Sequence, residues 1–174
     1  MSFITGLLKI IGGLIVVILL AVFVTITAAR WADGPWALIA GGPFTTGTLS
    51  ATPPDPAALK DVAEVQFQLE STGRSRTSWI MENNGRLFIP SGYMNTPQGK
   101  IWKHWPMDAE KDGRMILRVD GVLYEMNMVR VMDDPDLGGA MAEVGRKYLP
   151  GATEEFGLAD VASGNTWVFE LLPR

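Results

Sequence analysis

Two guanidiniums flank a hydroxyl at Arg74-Ser75-Arg76, the best anion-site candidate in the chain. Arginine presents a planar fork of donors that matches a phosphate or carboxylate two bonds at a time. The competing reading is a solvated turn before a strand, with both side chains in water. His104 is the sole histidine, and no carboxylate cluster near it has ligand spacing, so no metal site is expected. A surface or capping role outweighs acid–base work for it. Trp102 and Trp105, with Trp79 upstream, have the shape to stack on a flat cofactor, although core packing is the stronger reading. Met126, Met128 and Met132 share one face of a long strand pattern, as the wall of an apolar pocket or, more simply, as packing filler. Asp108, Glu110 and Asp112 beside Lys111 and Arg114 read as a solvated helix face. Serines occur, but without a G-x-S-x-G elbow or a supporting histidine, which argues against a hydrolase. Cysteine is absent, so thiol nucleophiles, thiolate metal sites and disulfides are excluded.

The elements that must position these groups begin with a membrane segment. Residues 10–29 (IIGGLIVVILLAVFVTITAA) carry no charge, and twenty helical residues at 1.5 Å each span about the 30 Å of a bilayer core. The run is longer than an ordinary signal-peptide core, which favours an anchor over a cleaved leader. Trp31 and Trp36 stand where an aromatic belt would lie, or else pack on the domain. A short N-terminal tail with one Lys suggests the N-terminus inside and the domain outside. Only Lys9 of the 15 Lys and Arg, and none of the 19 acids, precedes Arg30, so the net charge beyond the segment is −5. A domain so balanced is not built to hold a nucleic-acid backbone.

Residues 30–56 are rich in Gly and Pro (DGP, AGGP, TPPDP) and read as an approach segment. Beyond them the pattern turns to β. Ala63, Val65, Phe67 and Leu69 alternate with Glu64, Gln66, Gln68 and Glu70, the period of a half-buried strand. Thr77–Met81 and RLFIP flank Asn83-Asn84-Gly85, and Met115–Val119 and Val122–Met132 flank Asp120-Gly121. Both are hairpin signals, because these turn residues tolerate positive φ. Pro106–Lys111 predicts a helical turn or two. Asp134-Pro135 predicts a helix with Asp134 as N-cap and Met141, Val144, Tyr148 and Leu149 on one face. Thr166–Leu172 predicts a closing strand. The expected organisation is a transmembrane anchor over 1–29, the approach segment over 30–56, and a small antiparallel barrel over 57–174 with one or two short helices.

The stretch from Arg74 to Asp133 resembles the flavin-binding split-barrel superfamily of pyridoxamine-phosphate oxidase and the deazaflavin-dependent nitroreductases. A TSW strand, a hairpin, FIPSG and KHWPMDAEKDGRMILRVDGVLYEMNMVRVMD follow in the superfamily's order. Trp105, Leu117, Gly121, Tyr124 and Asp133 stand at matching places. DGPWALIAGGPF looks like the start of membrane-anchored members. The resemblance implies an antiparallel split β-barrel with FMN or a deazaflavin at its edge. The implied grip on the phosphate is Arg74, Arg76, Thr77 and Ser78 on one strand, Ser91 after the next, and Lys100 and Lys103 beyond. It implies a homodimer by analogy. His104 departs from the pattern, since a basic residue is usual just before the Trp. No residue matches a family catalytic group.

Two functions are therefore expected. The acidic domain and the missing catalytic group favour a non-catalytic accessory or assembly subunit docked to a larger membrane complex. The basic cluster favours the alternative, a membrane-tethered flavin-dependent oxidoreductase acting on a lipophilic acceptor such as a quinone.

Overall fold

The computed structural model describes residues 2–174. Its first element, α1 (Ser2–Ala29), is apolar along its length, and the side chains from Phe3 to Ile26 stand clear of the rest of the protein. It is long and apolar enough to cross a membrane.

Eight strands follow among the described residues: β1 (Thr48–Leu49), β2 (Glu64–Leu69), β3 (Arg74–Trp79), β4 (Met81–Asn83), β5 (Arg86–Ser91), β6 (Arg114–Val119), β7 (Val122–Val131) and β8 (Trp167–Pro173). The helices are α2 (Pro97–Trp102), α3 (Trp105–Lys111), α4 (Leu137–Lys147) and α5 (Glu154–Ala162). The main path through the sheet is β3-β2-β6-β7-β8-β5-β4, antiparallel throughout, and β1 adds parallel to β7. The path starts on β3 and ends on β4, which only Ile80 separates in sequence. The sheet therefore curls until its two ends belong to one bent strand, and this is a split β-barrel.

Both predicted hairpins form. Asn84 and Gly85 have φ of 51° and 75°, and Asp120 and Gly121 have 48° and 79°, the two positive values a tight two-residue turn demands. Inside the barrel, Phe67, Leu69, Met115, Leu117, Met126 and Phe169 pack around Trp105 from α3. On the outer face, Met81, Phe88 and Val168 meet Met141, Val144 and Val161 of the α4–α5 pair.

Three local expectations change. The fourth helix starts at Leu137 with Asp136 in the N-cap place, while Asp134 accepts a bond from the Asp136 N–H and holds the turn before the helix. Leu149 lies beyond that helix. Met132 leaves the core because β7 ends at Val131, so only Met126 and Met128 are buried. Trp102 is exposed on α2, and Trp105 alone of that pair enters the core. The helix α5 has no hydrophobic stripe to announce it and rests on its cap, with Thr153 Oγ1 accepting from the Phe156 N–H.

The opening of the split has a definite cause. A two-residue turn makes Asn83 and Arg86 a hydrogen-bonded pair, so alternation makes Met81–Phe88 the next such pair and Trp79–Pro90 the one after. Pro90 has no N–H to give the Trp79 carbonyl, and the ladder stops. The intervening Ile80 is captured from outside. Its N–H donates to Tyr148 Oη, and its carbonyl accepts from Lys147 Nζ at 2.6 Å and lies 2.7 Å from Tyr148 Oη. The same hydroxyl lies 2.7 Å from the Ala63 carbonyl, and the Tyr148 ring stacks flat on Trp79 at 4.3 Å. Tyr148→Phe keeps the stack but unpins Ile80. Chemical denaturation of this variant is expected to show a loss of about 1–2 kcal/mol.

Candidate functional site

A cleft of about 270 Å³ lies where the hairpin parts. Thr77, Ser78 and Trp79 form one lip and Pro90, Gly92 and Tyr93 the other. Met141, Val144 and Gly157 of the α4–α5 pair make the floor, and Phe156 from α5 and Leu38 from the approach segment stand at the rim. Strand register explains how β3 serves it. Arg74, Arg76 and Ser78 lie opposite Leu69, Phe67 and Val65, so their side chains share the barrel's inner face. Ser75 exchanges both backbone bonds with Gly41 and so turns its N–H and C=O away from β2. By alternation, Thr77 and Trp79 turn theirs outward too, toward the split.

Arg76 is the electrostatic centre of this region. Its Nη1 is sealed from solvent and has no hydrogen-bond partner, and no carboxylate pairs with the group among the described residues. Burial, then the nearby positive charge of Arg74, pushes its pKa down to about 10, against a smaller pull from Asp108. Arg74 is spoken for, with Nη2 donating to the Ala40 carbonyl at 2.6 Å. Lys103, at the end of α2, lines the cleft with its Nζ 5.8 Å from the centre of the Tyr93 ring. Burial lowers its pKa too, and no ion pair offsets it among the described residues. Two acids share the lining: Glu64, and Asp160, which accepts from Asn165 and the Thr166 hydroxyl.

Of the residues expected to hold a phosphate, Thr77, Ser78 and Lys103 therefore meet in one cleft, whereas Arg74 and Arg76 do not line it and lie further along the inner face of β3. Ser91 is buried on the inner face with Oγ 3.5 Å from Met94 Sδ, and Lys100 is exposed on α2; neither lines the cleft. His104 lies outside it as well, its Nε2 2.8 Å from the Ile101 carbonyl. Asp108, Glu110 and Asp112 are more than a solvated face. Glu110 accepts from Arg130 Nη1 at 2.9 Å, Asp112 pairs with Arg114, and Arg130 spreads over Trp167 at 3.4 Å.

The approach segment is a fastened strap. Asp33 accepts from the Thr45 and Thr46 N–H groups, from the Thr46 hydroxyl and from Arg118. Arg118 also stacks on Phe44 at 4.0 Å and donates to Gln66, while Gln68 accepts from the Phe44 N–H. The segment's few apolar residues, Leu38, Ile39, Phe44 and Leu49, are the local signal that it could lie on the domain surface or the membrane, but nothing local aims Leu38 at the cleft. The contribution of Leu38 depends on the fastening, which joins residues far apart in the chain.

No family model matches the chain, and no curated protein matches it. Among solved structures it is similar to HutZ, a heme storage protein of Vibrio cholerae, at 12% identity over 68% of this chain and 87% of that one, with a TM-score of 0.43. It is similar to a Listeria innocua protein named for pyridoxamine 5'-phosphate oxidase, at 12% identity over 68% and 89% of the two chains, with a TM-score of 0.38. A conserved hypothetical protein of Mycobacterium tuberculosis is similar at 11% identity over 76% and 85%, with a TM-score of 0.42. The split-barrel assignment itself stands on the strand order and register described above.

Proposed function

We propose that this chain is a membrane-anchored split-barrel protein, its domain on the extracytoplasmic side, that binds a phosphate-bearing flavin-type ligand at the split. The observation that carries this reading is the sealed, unpartnered Nη1 of Arg76. A buried donor without an acceptor is costly, and a buried guanidinium without a counter-charge more so. A phosphate supplies both acceptor and charge. Arg76 would hold it from the inner face and Lys103 from the far side of the cleft, with Ser78 donating its hydroxyl between them. Trp79 and Tyr93 give the lips flat apolar surfaces. The volume falls just under the ordinary range for small-molecule sites, about 300–1,000 Å³, and suits part of a flavin-sized ligand. A bound flavin would supply hydride or electron transfer.

The accessory-subunit reading retains one observation in its favour, the exposed Ile101 and Trp102 on α2, which would suit a protein partner. FMN added to the detergent-purified chain separates the two. Retained absorption near 370 and 450 nm, roughly the flavin bands, is the result expected of a cofactor-carrying protein. Arg76→Ala should weaken FMN retention about 100-fold, the worth of two charge-assisted bonds. A protein that stays colourless with FMN and co-purifies with stoichiometric partners would establish the accessory reading instead.

A further inference from the structure

We infer that the rim of the cleft is a lipid-contacting lip, so that the cleft opens onto the bilayer surface rather than onto bulk water. This rests on the proposed anchoring by α1 but not on the binding of a flavin. Four large side chains line the cleft and yet remain open to solvent: Leu38 at 89%, Tyr93 at 65%, Phe156 at 61% and Leu149 at 45%. They come from the strap, from the turn after β5, from α5 and from the α4–α5 connection. No local sequence accident gathers them. Single apolar residues on a surface need no explanation, but four around one mouth form a patch that calls for cover.

The strap identifies the cover as lipid. Leu38 lies nine residues beyond Ala29, the end of α1, and nine residues reach at most about 30 Å when fully extended. Here they are folded back. Trp36 and Ile39 exchange two backbone bonds, and Arg30, Trp31 and Ala32 continue the helix end as a turn. Beyond Leu38 the chain is pinned to β3 by the Gly41–Ser75 bridge, by Arg74 on the Ala40 carbonyl and by Ser75 Oγ on the Gly42 carbonyl. The glycine at 41 is required, since a Cβ there would stand 1.8 Å from the Gly34 oxygen. The strap therefore holds the rim close to the point where α1 ends. Trp31 is 87% exposed and Trp36 about half exposed on the same strap, and indoles are suited to the headgroup layer. Leu38, the two indoles and the end of the span thus lie within ten residues of one another along the chain.

The chain has no cysteine, so each introduced one carries a unique label. Leu38→Cys, Phe156→Cys and Leu19→Cys variants of the full chain, each labelled with bimane, are placed in phosphatidylcholine nanodiscs with and without brominated acyl chains. Most of the Leu38→Cys and Phe156→Cys emission is expected to be lost to bromolipid, with little lost to aqueous iodide. Strong iodide quenching at both rim sites, with Leu19→Cys quenched by bromolipid, would overturn the lip while leaving the anchor intact. Rim labels shielded from both quenchers would show a second copy or another protein as the cover, and would overturn it equally. A Leu19→Cys label that bromolipid does not reach would show instead that the anchoring reading itself had failed.

Discussion

Arg76→Met raises the unfolding temperature of the ligand-free protein and abolishes the further rise that FMN gives the wild type. Differential scanning calorimetry with and without FMN reads both effects. The guanidinium loses water on folding, gains no ion pair and only a small pull from Asp108, and faces Arg74. Methionine fills similar volume without that penalty, and replacements of this kind recover about 1–4 kcal/mol. For a protein of this size each kcal/mol moves the transition by about 2–4 °C. The penalty is full at neutral pH, where the group is protonated in both states. Between about 10 and the unfolded value of 12.5 the folded state binds fewer protons, so wild-type stability rises with pH across that window. Arg76→Met flattens this rise. A variant less stable than wild type without ligand would mean that the guanidinium is already satisfied, and the anion site would lose its physical basis.

Arg86→Met has the opposite sign. Arg86 donates to Asp134 at 2.7 and 2.9 Å, to Asp136 at 2.7 Å and to Glu170 at 2.7 Å through both ends of its fork. It joins β5 to β8 and to the turn that launches α4. Its removal leaves three carboxylates facing one another. Losing a fully buried partner costs about 3–5 kcal/mol, and the partial exposure here brings the expected loss to about 2–3 kcal/mol in urea unfolding. Arg86 holds Asp134 and Asp136 below the ordinary carboxylate range. In the wild type their contribution is present above the unfolded carboxylate pKa of about 4 and is lost as pH falls through the folded values. In the variant the repulsion grows as pH rises through the carboxylate range, so its stability deficit is largest near neutrality and shrinks in acid.

The strands were legible because their signals are local. Alternation marks β2, and positive-φ pairs at Asn84-Gly85 and Asp120-Gly121 fix two hairpins and their registers. The split was half legible: Pro90 is plain in FIPSG, but that its missing donor matters requires knowing which residue it faces. Arg74 and Arg76 stood out by type, yet nothing local said that Arg74 would be taken by Ala40 and Arg76 left alone. The first outcome depends on the strap, whose partners lie 24 to 85 residues away in the chain. Lys103 entered by resemblance and falls in the cleft, whereas Ser91 and Lys100 entered in the same way and do not. Helix α5 lacked the apolar stripe from which helices are read, and its one signal was Thr153 followed by Glu154 and Glu155.

The last strand of the chain, β8, lies in the middle of the sheet, between β7 and β5. The pairs Leu87–Leu171 and Met128–Leu171 join segments synthesised far apart. Until β8 emerges, the first hairpin has no neighbour on its inner side and the β2–β6–β7 portion ends in an open edge. The barrel therefore closes in one late, non-local step, slow for its size because distant loops must meet before any contact repays them. A chain arrested before Thr166 would leave two strand edges unpaired, and such edges invite pairing with other chains until the last strand arrives.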